Sequence, residues 1–162
     1  MPRTSDVPGR PPTPVRTRSA RTQAQFEAFS AVLVTAGQLE RELVEVLKTA
    51  GLSVAQYNVL RILRGAGAAG LACGQVSGRL IRHDPDVTRL TDRLEKRGLL
   101  ERTREAADRR IVRTRITETG MALLAGLDEP IDRLHERQFG HMSERRLAAL
   151  REFLVEATSR TG

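Results

Sequence analysis

Two groups of residues in this 162-residue chain have types and spacing that could do chemistry. The first group is glycine. Gly65, Gly67 and Gly70 stand at G-x-G-x-x-G spacing, and Asp84 follows Gly65 at roughly the twenty residues of a ribose-binding acid. Such a loop would cradle the pyrophosphate of a dinucleotide at a helix N-terminus. The second group is mainly arginine. The segment "DVTRLTDRLEK" carries Asp86, Thr88, Arg89, Asp92, Arg93 and Lys96, and beyond it come Arg102, Arg104, Arg109, Arg110, Arg113 and Arg115. Arginine forks onto guanine edges, threonine bonds base or phosphate, and aspartate either accepts from cytosine or orients a neighbouring arginine. The chemistry of this second group is recognition of nucleic acid.

The elements that hold these residues decide between the two. From Thr22 to Ala50 there is no proline, and Phe26, Phe29, Leu33, Ala36, Leu39, Leu43, Val46 and Leu47 recur at helical spacing. A helix this long needs partners along its length, which points to an interface with another chain. Gly51 ends it. Ser53 and Gln56 then form a capping box for a second helix, with Val59, Leu60, Ile62 and Leu63 on one face. Gly65 stands where that helix is expected to end in a left-handed residue. The glycines therefore follow a helix, whereas a dinucleotide loop must follow a strand and open a helix. They read as a helix stop and a turn. No catalytic residue and no cofactor is expected, and the chain is not read as an enzyme.

The arginine group fares differently. "LACGQVSGRL" reads as a short helix through Leu71, Val76 and Leu80. Asp84 is the expected N-cap and Pro85 the first position of a second helix that ends at Gly98. Val87, Leu90, Thr91 and Leu94 fall on its inner face. Pro85, Arg89, Asp92 and Lys96 fall on the outer face, flanked by Asp86, Thr88 and Arg93. A short helix, a break and a second helix with a polar face form a helix-turn-helix pattern. Residues 99–116 then alternate as a β-hairpin with "EAADRR" at its tip. Arginines at such a tip suit the narrow minor groove, where the negative potential is strongest.

Composition supports this reading. The net charge is +7, and the excess falls on residues 1–21 and 79–115, which suggests an anionic partner. Residues 1–21 are rich in proline and arginine and read as a disordered basic tail. One cysteine, Cys73, excludes an intrachain disulfide and fits a reducing compartment. No apolar run approaches ~20 residues, and the N-terminus lacks the apolar stretch of a secretory signal. A cytoplasmic protein with no membrane partner is expected. His83, His135 and His141 lack metal-ligand spacing.

"DVTRLTDRLEKRGLLERTREAADRRIVRTRITETG" resembles the multiple antibiotic resistance regulator (MarR) family. The motifs are Thr88-Arg89, Leu94-Glu95-Lys96-Arg97-Gly98-Leu99, Asp108-Arg109-Arg110 and Ile116-Thr117, and "SVAQYNVLRIL" matches the family's second helix. The similarity spans about residues 24–160. It implies a mainly α fold with a small β-hairpin wing: a winged helix-turn-helix over 51–117 and a helical dimerisation region over 22–50 and 118–160. In the latter, Thr117 would cap a helix lined by Leu123, Leu124, Leu127, Ile131 and Leu134, with Pro130 inside it and Gly140 after it. Ser143 would cap a last helix with Leu147, Leu150, Phe153, Leu154 and Ala157.

By the same resemblance Asp108 braces the wing and Arg110 enters the minor groove, with Arg109 the alternative tip contact. Pro85 departs from the pattern, because it removes a backbone N–H that could bind phosphate. The family's oxidant sensors place a cysteine in the first helix; none is there, so Cys73 reads as structural. Tyr57, the only tyrosine, lies on a helix that borders the family's ligand pocket. The implied function is a homodimeric, sequence-specific transcription regulator of double-stranded DNA. It would be a repressor, released from a pseudo-palindromic operator by a small aromatic or anionic effector. The residues that would bind such an effector are not assigned.

Overall fold

In this computed structural model the described residues are 19–81, 86–104 and 112–159. Their order is α1 (Ala20–Lys48), α2 (Val54–Ala66), a 3₁₀ turn (Gly67–Ala69), β1 (Leu71–Ala72) and α3 (Cys73–Ser77). There follow α4 (Val87–Lys96), β2 (Leu100–Arg104), β3 (Val112–Ile116), α5 (Glu118–Phe139) and α6 (Glu144–Ser159). The chain divides into two compact units, Met1–Gly37 and Gln38–Gly162. The described part of the first unit is helical and exposes Phe26, Phe29, Val32, Leu33 and Val34. The second unit holds the core.

α1 ends where Gly51 turns left-handed at φ 61°. There the Leu52 N–H donates to the Leu47 carbonyl at 3.1 Å and the Gly51 N–H to the Lys48 carbonyl at 3.0 Å. Leu47 and Leu52 are both buried beside this turn, the apolar contact that accompanies such a cap. α2 opens with the expected capping box. Ser53 Oγ accepts from the Gln56 N–H, and Gln56 Oε1 accepts from the Ser53 N–H.

One sequence expectation about the glycines needs correction. α2 continues through Gly65 to Ala66, and Gly67, not Gly65, takes the positive φ of 59°. The helix runs on because nothing at Gly65 forces it to stop; its φ is not among the positive ones. Gly70 also has φ 61°, and a Cβ there would stand 2.6 Å from the Thr114 carbonyl. The glycine run is thus a turn plus a close passage of β3.

The expected helix over residues 71–80 is also corrected. Leu71 and Ala72 form a strand that pairs antiparallel with Thr114 and Arg113 of β3, and the helix is only Cys73–Ser77. Partner backbone, rather than local propensity, makes these two residues extended. The sheet therefore has three strands in the order β1-β3-β2. The hairpin itself is as expected, with Leu100 opposite Ile116 and Arg102 opposite Thr114.

α5 is capped by Thr117, as expected. Thr117 Oγ1 accepts from the Gly120 N–H at 3.1 Å and donates to the Gly98 carbonyl at 2.6 Å. A Cβ at Gly120 would run into the Leu99 carbonyl, so only glycine lets α5 seat against the base of the hairpin. Leu124, Leu127 and Ile131 of α5 then join Leu60, Leu63, Leu94 and Leu99 in one core. α6 buries no residue and exposes Phe153, Leu154 and Val155. Among the described residues no helix is long and apolar enough to cross a membrane.

Candidate nucleic-acid interface

α4 is an amphipathic helix whose two faces do different work. Val87, Leu90, Thr91 and Leu94 are buried. The Thr91 hydroxyl donates within its own helix, to the Thr88 carbonyl at 2.8 Å or the Val87 carbonyl at 3.0 Å, so a polar atom enters the core already satisfied. Thr88, Arg89, Arg93 and Lys96 are exposed on the other face. The expected cap is corrected here. The helix begins at Val87 and its N-cap is Asp86 rather than Asp84. Asp84 and Pro85 lie outside the described residues. Asp86 Oδ1 accepts from the Arg89 N–H, and Oδ2 stands 3.3 Å from Arg89 Nε.

Asp92 and Glu95 face the sheet. Asp92 Oδ1 lies 2.6 Å from Arg102 Nη2, and Glu95 Oε2 accepts from Arg102 Nε at 2.9 Å. The hydrogen bond that Arg102 donates to Glu95 holds its guanidinium above the ordinary arginine pKa, against a smaller opposing effect of burial. Two other strand arginines also serve the scaffold. Arg115 donates to the Ala68 carbonyl at 2.8 Å and to Thr103 Oγ1 at 2.7 Å, and Arg113 donates to the Ala69 carbonyl. Arg104, at the far end of β2, is exposed. Asp108, Arg109 and Arg110 lie outside the described residues.

Sequence reasoning missed Arg97. It follows α4 directly, and its guanidinium donates from Nη1 to the Gly51 carbonyl at 2.7 Å and from Nη2 to the Ala50 carbonyl at 3.0 Å. Nothing in a linear pattern pairs residues so far apart in the chain.

It also left the ligand-binding residues unassigned. The structure contains a cavity of about 800 Å³ between the C-terminal part of α1, α2, α5 and residues 80–81. That volume suits a small molecule. Leu43, Ile131 and Phe139 give it apolar walls, and α2 contributes Tyr57, Asn58, Arg61 and Arg64. Arg64 Nη1 lies 2.9 Å from both carboxylate oxygens of Asp128 on α5. The Arg61 guanidinium sits 5.7 Å from the Tyr57 ring centroid. Burial raises the pKa of the Tyr57 phenol, and the charges of Arg61 and Arg64 oppose that rise in part. Asn58 is only 7% exposed and faces this space.

Comparison with known proteins fixes the family. The profile of the MarR family matches residues 52–112. A MarR transcription factor from Planctomyces limnophilus is 37% identical; the alignment covers 86% of this chain and 98% of that one, with a TM-score of 0.64. The chain belongs to the MarR family. Among curated MarR relatives, the HTH-type transcriptional repressor IacR of Pseudomonas putida is 25% identical over 73% of this chain and 70% of its own length. CouR from Rhodococcus jostii RHA1, solved with p-coumaroyl-CoA bound, is 26% identical over 82% of this chain and 92% of CouR, with a TM-score of 0.70. The fold is the winged helix of the MarR regulators, and the chain is a DNA-binding transcription regulator, not an enzyme.

Proposed function

We propose that this MarR protein is a homodimeric repressor that binds a pseudo-palindromic operator and leaves it when a small molecule fills the cavity. One observation carries the DNA reading. α4 is anchored by its buried stripe while Thr88, Arg89, Arg93 and Lys96 stand free of the core on one face. These four read the major groove. Asp86 acts at the same surface by orienting Arg89, and Asp92 acts there by tying α4 to Arg102 of β2 and so fixing how the helix is presented. Arg109 or Arg110 enters the minor groove, with Asp108 bracing the wing, on the family pattern.

Two identical copies would present two such helices about one turn of DNA apart, roughly 34–36 Å. The exposed apolar residues of α1 and α6 support this assembly. The effector is a small aromatic or anionic compound. The apolar walls, the Tyr57 ring and the Arg61 guanidinium support that class, as does the acyl-CoA bound by CouR.

The test is a fluorescence-anisotropy titration against DNA upstream of the protein's own gene, with scrambled DNA as control, at ~150 mM salt. A preference above about 10³ establishes a specific regulator. Equal and steeply salt-dependent binding to both DNAs overturns it in favour of an architectural binder. The bound fragment then serves to screen aromatic acids for release.

A further inference from the structure

α1 and α4 end in the same kind of turn. Gly51 after α1 and Gly98 after α4 have φ of 61° and 68°. In each turn the residue just after the glycine, Leu52 or Leu99, returns its N–H to a buried leucine carbonyl, Leu47 or Leu94. Such a turn satisfies some helix carbonyls and leaves others pointing outward. Ala50 and Gly51 present theirs at the negative end of α1, where a cation is favoured. Arg97, the C-cap residue of α4, supplies it, with one guanidinium nitrogen on each carbonyl at 2.7 and 3.0 Å.

The place of this contact is more telling than its strength. α4 is already joined to the wing through Asp92, Glu95 and Arg102. Helix and wing therefore form one piece, and Arg97 is the polar link from that piece to the end of α1. We infer that Arg97 is a positioning residue: it fixes the angle between the recognition helix and α1, and so sets which half-site spacing the dimer accepts. The inference rests on the dimeric, operator-binding reading above. A planar fork holding two carbonyls fixes a direction; a lysine, with one nitrogen on a flexible stem, does not.

The experiment uses the full chain and the best-bound duplex from the titration above, with derivatives that gain or lose one base pair between the half-sites. Wild type, R97A and R97K are titrated on each, with sedimentation to establish the dimer and thermal unfolding to establish the fold. In R97A the preference for the native spacing should shrink by about tenfold, the value of one charge-assisted hydrogen bond, with R97K intermediate. Binding to scrambled DNA should not change. If R97A keeps the wild-type preference, or loses affinity equally on every spacing together with thermal stability, the positioning role is overturned and Arg97 is only structural. Should R97A fail to fold, R97K decides on the same ratio. If wild type itself prefers no duplex, the operator reading fails first and takes this inference with it.

Discussion

At the scale of single residues, the arginines of this chain divide by what they touch. Arg89 is 77% exposed at its side chain and pairs with Asp86, the helix cap behind it. Arg102 is held by two carboxylates and is not available to DNA. Their removal should therefore have different consequences. Arg89→Ala should cost about 1–3 kcal/mol on operator DNA and much less on random DNA, measured by anisotropy. An equal loss on both would make Arg89 a phosphate contact. Arg102→Ala should lower the melting temperature, because it leaves Asp92 and Glu95 facing one another without their cation. Thr114 poses the opposite case. Its hydroxyl is fully buried and finds no hydrogen-bond partner among the described residues. Thr114→Val should keep the shape and remove a desolvated polar atom, raising stability by about 1 kcal/mol in denaturant titration. A loss of that size would show that the hydroxyl is satisfied in solution.

At the scale of elements, what was legible in the sequence depended on length and on locality. α4 could be read in full on its inner face, since Val87, Leu90, Thr91 and Leu94 repeat the helical period and all four are buried. The capping box at Ser53 and the cap at Thr117 are local hydrogen bonds, and both were visible. β1 was not, since two residues cannot show a period of two and the strand exists only because β3 lies beside it. The shift of the α4 cap from Asp84 to Asp86 has a similar origin. Both are aspartates, and propensity alone does not choose between them. Close packing was also invisible. Gly120 lies in the first turn of α5 and signals nothing by its position, yet the Leu99 carbonyl occupies the space of its missing side chain. Gly120→Ala, which ordinarily stabilises a helix, should here destabilise by at least 1–3 kcal/mol through overpacking, seen as a lower melting temperature. The cavity was the least legible part of the candidate site. Its walls come from α1, α2 and α5; each helix contributes a stripe, such as Tyr57, Arg61 and Arg64 or Asp128, Ile131 and His135, and nothing in the sequence says that these stripes face one another.

At the scale of the whole molecule, the exposed apolar surface makes the strongest demand. Phe153 is 68% exposed and Phe29 61% exposed, more than isolated surface residues ordinarily account for when several cluster on one helix. In the dimer reading these residues meet a second copy. Phe153→Glu combined with Leu154→Glu should halve the mass in sedimentation and abolish high-affinity operator binding, while the circular-dichroism spectrum stays helical. A dimer that survives both charges would move the interface elsewhere. Binding should also weaken steeply with salt, since each phosphate contact releases counterions.

The lone tyrosine on the cavity wall has one more consequence. The chain has no tryptophan, so nearly all its near-ultraviolet emission comes from one ring, and that ring lines the cavity under a guanidinium. The protein is its own optical gauge. Any compound that enters and disturbs the Arg61–Tyr57 stack should change the emission without a label. Binding to the cavity can then be followed in the absence of DNA, and occupancy can be separated from release.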